Sequence, residues 1–416
     1  MPSSLRRAAL FSLLGGAAGL AWLGLRLRPQ RGSAPPVEEG RHRVRVLETR
    51  RIVPGPGLPP ELALGAANNN LDAVRHSDGF VYLAFRTAPH HFAGPHTAIC
   101  IVRSRDEERW TLEARFAVGS DLREPRLLSL GDRLLLYVSR LGRDPLAFEP
   151  QGLSLAERQE DGKWSDLRSL GPPGVMGWRV RRLGPGGVPV MLVYAGGESI
   201  YDGSRPNLRV EMWRSDDGRH WEPFDPERPV VYEGGGSEAD CVLGEDGTLY
   251  GVIRNEAGDA SGWGALVCRA PAGDLANWTC RPDPRKYDSP FAFWHDGEAY
   301  FVARRNLNGC GGGAYDLGRG PGWLLRTVWN QVNYSLSPKR TALWRYVQDE
   351  DRLAFVCDLP SRGDCCFPAV LEGEREDERI VYDYSCDLDG PDLPWLRGQR
   401  ARTHIYRHRL RFEPAG

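Results

Sequence analysis

Glu238 and Arg254 are the residues of this 416-residue chain whose types and spacing best suggest a chemical role. They enclose the segment ADCVLGEDGTLYGVI, which has the pattern of a strand, a Glu-Asp-Gly turn and a returning strand. Because a hairpin brings both of its ends back to one place, we expect the glutamate and the arginine side by side. A carboxylate there can face a reacting centre, while the forked donors of the arginine bind an anionic group of a ligand.

Other residues occupy the same position in similar segments. The predicted substrate-binding set comprises Arg86, Arg254, Arg304, Arg305, Arg340 and Trp178. Polar residues at the starts of further strands are Asn70, Arg123, Glu124, Asp288 and Asp364. Any single one of these arginines can be explained equally well as a solvated surface residue or as a binding residue. Arginines at equivalent positions of several repeated segments instead indicate that these segments contribute to one common binding site.

The segment TAPHHFAGPH contains three histidines, His90, His91 and His96. No cysteine or carboxylate accompanies them, which favours a structural or substrate-lining loop over a metal site, and no metal site is predicted. Histidine titrates near neutral pH, so His90 or His91 is a candidate general acid. Asp72 is the other candidate, because a strand-start carboxylate facing Glu238 would form a glycosidase-like pair of carboxyl groups.

One kind of turn recurs at regular intervals along the sequence. An Asp/Gly turn followed by tryptophan ends at Trp110, Trp164, Trp221 and Trp278, at intervals of 54, 57 and 57 residues, and a degenerate copy ends at Trp344. In RSDDGRHW, which ends at Trp221, the Asp-Gly pair is a strong hairpin signal and the tryptophan begins the return strand. The turn is therefore interpreted mainly as the architecture of an outer hairpin.

A second series of turns runs about 30 residues upstream of the first and has six members, from HSDGFVYLAFR to EREDERIVYDYS. Each unit thus contains two hairpins and four short strands, a period typical of a β-propeller. The sequence predicts an all-β, six-bladed β-propeller with almost no helix beyond residue 40. The last unit lacks its fourth strand, and residues 41–53 are expected to supply it and close the ring.

The turn RSDDGRHW matches the Asp-box, S-x-D-x-G-x-x-W, with one residue fewer between serine and tryptophan. Together with the segment around Glu238 and the segment YDYSCDL, which contains Tyr384, it resembles the sialidase (neuraminidase) superfamily over residues 40–412. The resemblance implies that Tyr384 attacks the sugar after Glu238 has activated it, and that three arginines bind the carboxylate of the substrate.

The chain departs from the family pattern in two places. The Arg-Ile-Pro motif that carries the family's first arginine is replaced by NNNLDAV, and the nearest look-alike is the run Arg86-Thr87-Ala88-Pro89. The family's acid, an aspartate in the loop after the first hairpin, is missing. Three hypotheses follow: a sialidase-like glycoside hydrolase acting on an anionic or polyhydroxylated sugar, a furanosidase-like hydrolase that uses Asp72 and Glu238, or a non-catalytic glycan-binding scaffold.

The N-terminus differs from the rest of the chain. Residues 1–31 contain eighteen uncharged residues between arginines, which indicates a signal peptide or a membrane anchor, and 32–40 form a Pro-rich linker before a propeller at 41–412. The propeller is therefore expected outside the cytoplasm. The net charge of −1 gives no indication of a nucleic-acid partner, and no cofactor motif is present. Among nine cysteines, Cys268 and Cys280 are predicted to pair across a hairpin.

Overall fold

The computed structural model describes residues 34–38, 40–145, 147–184, 186–201, 207–307 and 322–415. The predicted N-terminal helix and the beginning of the linker lie outside these residues. Within the described part of the chain, no helix is both long and apolar enough to cross a membrane.

Antiparallel strands are the main regular secondary structure of the described residues. The first thirteen are β1 (His42–Val53), β2 (Ala67–Arg75), β3 (Val81–Ala88), β4 (Ala98–Ser104), β5 (Thr111–Phe116), β6 (Asp121–Leu130), β7 (Arg133–Leu141), β8 (Pro150–Glu157), β9 (Arg168–Leu170), β10 (Met176–Arg182), β11 (Pro189–Ala195), β12 (Leu208–Arg214) and β13 (Glu222–Pro223). The others are β14 (Val230–Gly234), β15 (Gly236–Leu243), β16 (Leu249–Asn255), β17 (Ala265–Ala270), β18 (Thr279–Asp283), β19 (Asp288–His295), β20 (Glu298–Asn306), β21 (Lys339–Val347), β22 (Arg352–Asp358), β23 (Cys365–Glu372), β24 (Glu378–Cys386) and β25 (Thr403–Pro414). Helices are α1 (Trp323–Leu336) and α2 (Trp395–Gly398), with a 3₁₀ turn at Gly197–Ser199.

The strands form five sheets. Three contain four strands each, β6–β9, β15–β18 and β19–β22, and one contains the five strands β10–β14. The fifth has eight strands and consists of β2–β5 and β23–β25 with β1, joined through a single parallel pair of Ala67 and Thr403. The N-terminal strand β1 pairs antiparallel with β25 from His42 opposite Pro414 to Val53 opposite Ile405, so the predicted closing strand is present.

The first strands of the successive groups lie against one another. Strand β2 contacts β6, β6 contacts β10, β10 contacts β15, β15 contacts β19, β19 contacts β23, and β23 contacts β2. Each of these inner strands shifts register against its second strand close to its start, for example between Asn69 and Leu71 and between Arg123 and Arg126. A bulge changes the direction in which side chains point. These six bulges therefore determine which side chains face the end of the molecule at which the inner strands begin.

The turn RSDDGRHW owes its shape to hydrogen bonds within itself. The backbone N–H of Gly218, which has a φ of 72°, donates to Ser215 Oγ (2.8 Å), and Asp217 Oδ1 accepts the backbone N–H groups of Arg219 and His220 (2.8 and 2.9 Å). The Trp221 ring contacts Tyr137 of the preceding group edge-on, at 5.7 Å between ring centres. The turn therefore fixes an outer hairpin and helps join two sheets, as the sequence predicted.

The degenerate copy at Trp344 does not follow this pattern. Trp344 lies inside β21, fully buried, and the turn that follows the strand spans 348–351. Helix α1 stands between β20 and β21, which lengthens this unit and moves the tryptophan out of phase with the others. The expectation of almost no helix beyond residue 40 is therefore wrong at this insertion.

The predicted disulfide is present. Cys268 and Cys280 lie directly opposite each other on β17 and β18 and are joined in a bond that closes a loop of 12 residues. The other cysteines in the described residues are free, and five of these six are buried.

Candidate active site

A cavity of about 350 Å³ opens where the inner strands begin. Its described lining comes from the histidine loop, from the segment between β7 and β8, from the end of β16 and from helices α1 and α2. The polar and aromatic lining residues are His91, Phe92, Arg123, Phe148, Tyr201, Arg254, Glu256, Trp263, Lys286, Gln331, Tyr334, Ser335, Trp395 and Gln399. Of the predicted substrate-binding set, Arg254 belongs to this described lining.

Glu238 and Arg254 are in contact, as the hairpin argument requires. Arg254 Nη1 donates to Glu238 Oε1 at 2.6 Å, and the guanidinium also lies 3.1 Å from Glu256 and 3.2 Å from Asp288. The second oxygen of Glu238 accepts the backbone N–H of Ser289 at 2.6 Å. Burial raises the pKa of Glu238, and the charge of Arg254 opposes that rise.

Glu124, at the bulge of β6, is a buried carboxyl group with few partners. Asn70 Nδ2 donates to its Oε1 at 2.9 Å, while its buried Oε2 has no hydrogen-bond partner in the described residues and lies 3.7 Å from Arg126. Burial raises its pKa to about 7, Arg126 opposes the rise, and the nearby charge of Glu238 adds to it. The charge of Glu238 thus acts on Glu124, and the two carboxyl groups have different surroundings.

Tyr384 is fully buried and its hydroxyl donates to Asp364 Oδ1 at 2.9 Å. Asp364 precedes β23, and its second oxygen lies 2.6 Å from His91 Nδ1. Trp395 Nε1 donates to the same carboxylate at 2.9 Å. The described contacts thus join Tyr384 to Asp364 and not to Glu238, because the tyrosine lies on the second strand of its group and faces the start of the first.

A different tyrosine reaches the cavity. Tyr334 of α1 donates its hydroxyl to Asp288 Oδ2 at 2.6 Å, and its ring lies 5.5 Å from the Arg254 guanidinium and 6.0 Å from that of Arg304. Lys339 Nζ lies 3.9 Å from the same ring. Tyr334 was not predicted as a site residue, because it belongs to the inserted helix and to none of the sequence repeats.

Arg86 and Arg304 are buried among acceptors of the protein. Arg86 donates from Nε and Nη2 to Asp121 Oδ1, at 3.1 and 2.9 Å, and also to the backbone carbonyls of His90 and Phe92. Arg304 donates to the carbonyl of Cys365 at 3.2 Å. Both guanidinium groups therefore have acceptors before any ligand binds.

Arg305, Arg340 and Trp178 lie away from the described cavity lining. Arg305 donates to both oxygens of Asp358, at 2.6 and 2.7 Å, and Arg340 forms the same kind of fork with Asp392, at 3.1 and 3.0 Å. Trp178 is buried, with its ring 5.0 Å from that of Phe367.

Asp72 and His90 also lie elsewhere. Asp72 accepts the backbone N–H of Leu127 at 2.9 Å and lines a second cavity, of about 550 Å³, formed by residues further along the inner strands. Asp72 is not part of the described lining of the first cavity. His90 is exposed, whereas His91, next to it, is buried in the cavity wall.

No set of three or more His, Cys, Asp or Glu side chains in the described residues is arranged to hold a metal ion. Several polar side chains of the cavity lining already have partners in the protein: Arg254 contacts Glu256, Lys286 donates to the carbonyl of Asn255, and His91 contacts Asp364. The cavity contains neutral and charged groups that are suited to hydrogen bonding with hydroxyls and to proton transfer.

No protein-family model and no curated protein sequence matches the chain. Among solved structures, it is similar to a mutant Trypanosoma rangeli sialidase displaying trans-sialidase activity, with 15% identity and a TM-score of 0.54 over 92% of this chain and 58% of that one. It is also similar to the Trypanosoma rangeli sialidase in complex with sialic acid, with 12% identity and a TM-score of 0.53 over the same shares.

A third similar structure is an α-L-arabinofuranosidase from Fusarium graminearum in complex with an iminosugar inhibitor, with 11% identity and a TM-score of 0.52 over 85% of this chain and 95% of that one. The match thus spans 58% of the length of the sialidases and nearly all of the arabinofuranosidase. At such low identity the likeness concerns the fold: the chain has the all-β architecture of these glycosidases.

Proposed function

We propose that this protein is a glycoside hydrolase built on a six-bladed β-propeller, and that the cavity binds a polyhydroxylated sugar. The six groups of strands are its blades, with β1 as the outer strand of the last one. The closed series of contacts between inner strands supports this count. The turns that precede Trp110, Trp164, Trp221 and Trp278 are its Asp-box turns.

The pair of Glu124 and Glu238 is the observation that carries the proposal. A glycosidase needs a carboxyl group that still holds a proton near neutral pH and a second, ionised one. Glu124, with its pKa raised to about 7 and one oxygen without a partner, suits the general acid. Burial raises the pKa of Glu238, but its two oxygens accept hydrogen bonds from Arg254 and from the Ser289 N–H, and these donors favour the ionised form. Glu238 therefore suits the carboxylate that stabilises positive charge at the anomeric carbon.

The surroundings of the arginines favour a neutral sugar over one that carries a carboxylate. An arginine cluster binds a substrate carboxylate through guanidinium donors that are free to form forks. Arg305 and Arg340 form such forks with aspartates, and Arg86 donates twice to one oxygen of Asp121. Arg254 lies against three carboxylates. Sugar hydroxyls, which both donate and accept, suit a cavity of paired charges, and Trp395 and Phe148 offer aromatic surface.

A sialidase-like reaction on an anionic sugar is the second candidate. Tyr334 supports it, because its hydroxyl is bound to Asp288 and its ring lies close to Arg254 and Arg304. This tyrosine would take the role that the sequence assigned to Tyr384. We further propose that residues 1–31 export or anchor the protein, and the disulfide Cys268–Cys280 agrees with an oxidising compartment.

The test is a panel of fluorogenic glycosides incubated with the full chain, including α-L-arabinofuranosides, neutral hexopyranosides and an α-sialoside. Hydrolysis of a neutral glycoside that Glu124→Gln abolishes supports the proposal, with exposed Glu374→Gln as the matched control. Hydrolysis of the α-sialoside, lost in Tyr334→Phe, establishes the second candidate. Glycan binding without hydrolysis identifies a scaffold.

A further inference from the structure

His91 is the histidine of its loop that the fold brings into the cavity. It is buried, it lines the cavity, and its Nδ1 lies 2.6 Å from Asp364 Oδ2. The neighbouring His90 is exposed. Asn69 Nδ2 lies 3.3 Å from the same Nδ1, whereas the other ring nitrogen, Nε2, has no partner in the described hydrogen bonds.

Asp364 is held in place from several sides. Its Oδ1 accepts hydrogen bonds from the Tyr384 hydroxyl and from Trp395 Nε1, both at 2.9 Å, and the Arg304 guanidinium lies 3.9 Å away. Burial opposes ionisation, but His91, Arg304 and the Tyr384 hydrogen bond together hold the pKa of Asp364 below its ordinary value. Asp364 Oδ2, at 2.6 Å, lies closer to His91 Nδ1 than Asn69 Nδ2 does, at 3.3 Å. Because an ionised carboxylate accepts only, we assign the proton of His91 to Nδ1, which leaves a lone pair on Nε2.

Burial favours the neutral form of His91. It lowers the pKa of the imidazole, Asp364 opposes this with its charge and its contact with Nδ1, and the positive charges of Arg123 and Arg86 add a smaller lowering. Arg123 also donates to the backbone carbonyl of His91, at 2.6 Å. A neutral imidazole whose orientation is fixed by a carboxylate is a proton acceptor at pH 7.

We infer that His91 is the general base of the cavity and that Asp364 and Tyr384 are its positioning residues. This inference rests on the proposed function. A water oxygen forms a bond with the anomeric carbon while its proton passes to His91 Nε2. The glycosidic C–O bond breaks, its electron pair stays on the leaving oxygen, and that oxygen takes the proton of Glu124. One displacement of this kind inverts the anomeric configuration.

The experiment uses the full chain and the glycoside that the panel identifies. His91→Gln is expected to lower kcat/KM by about 10²–10⁴-fold, the usual contribution of a general base. His90→Gln, the matched control on the same loop, is expected to leave it within about twofold. The wild type shows an acidic limb in its pH profile below the ordinary histidine pKa, about 6.5, and His91→Gln lacks it.

Tyr384→Phe tests the positioning role, because it removes one hydrogen bond to Asp364 and keeps the ring. It is expected to lower kcat with little change in KM and to move the acidic limb. Proton NMR of the first-formed sugar anomer is expected to show inversion.

The outcomes separate the two proposals. If His91→Gln is as active as the wild type, or if the product retains its configuration, the base assignment is wrong and the glycosidase proposal stands. Nitrogen NMR adds a readout without substrate: a His91 ring protonated on Nε2 also overturns the assignment. If the wild type hydrolyses no glycoside, the proposed function is wrong, and the assignment of His91 as general base is overturned with it.

Discussion

Substituting Glu124 by glutamine tests the raised pKa of this carboxyl group without knowledge of the substrate. The wild-type carboxyl has a pKa of about 7 in the fold against an ordinary value of 4.5. Below the ordinary value it is protonated in both the folded and the unfolded chain. Between the two values the unfolded chain ionises first, so the free energy of unfolding falls as the pH rises.

The expected size of this effect follows from the two pKa values. A rise of the pKa from 4.5 to about 7, at about 1.4 kcal/mol per pH unit, corresponds to about 3 kcal/mol. Relative to Glu124→Gln, the wild type should therefore lose about 3 kcal/mol of stability between about pH 4 and about pH 8. The glutamine keeps the contact with Asn70 and cannot ionise.

The assay is urea unfolding of the wild type and the variant across this pH range, with exposed Glu374→Gln as the control. The control should follow the wild type at every pH. If the difference between Glu124→Gln and the wild type does not change with pH, Glu124 titrates like an ordinary glutamate, and its role as general acid is refuted.

Three further substitutions test other parts of the account. Glu238→Gln should abolish hydrolysis and lower the unfolding free energy by up to about 3–5 kcal/mol, because it breaks a buried ion pair with Arg254; wild-type turnover would contradict the role of Glu238. Tyr384→Phe should cost about 1 kcal/mol for one lost hydrogen bond and keep measurable hydrolysis, whereas an inactive enzyme would restore Tyr384 as the nucleophile. Ser215→Ala should lower the unfolding free energy by about 1 kcal/mol, because Gly218 loses its acceptor, and should leave kcat/KM unchanged; a changed kcat/KM would mean that the turn does more than hold the hairpin.

The local parts of the fold were predictable because they are encoded locally. Ser215, Asp217 and Gly218 make a turn from their own hydrogen bonds, and the repetition of such turns gives the strand order. Glu238 and Arg254 were predictable as neighbours because a hairpin between them fixes their distance.

The positions of the other residues of the candidate active site depend on features that the sequence repeats do not encode. A bulge at the start of each inner strand changes which side chains face the same side, and Asp72 lines the second cavity while Arg123 lines the first. Tyr334 and Trp395 come from inserted helices, whose positions depend on tertiary packing. The partner of Tyr384 follows from the placement of Asp364 before β23, which strand alternation alone does not give.

The most direct test of the glycosidase assignment is the pH dependence of kcat/KM for the full chain on its best neutral glycoside. We predict a bell-shaped profile whose basic limb lies near the Glu124 pKa of about 7, and the loss of that limb, with at least about 10²-fold lower activity, in Glu124→Gln. An unchanged basic limb in Glu124→Gln, or no hydrolysis of any neutral glycoside at any pH, would contradict the account.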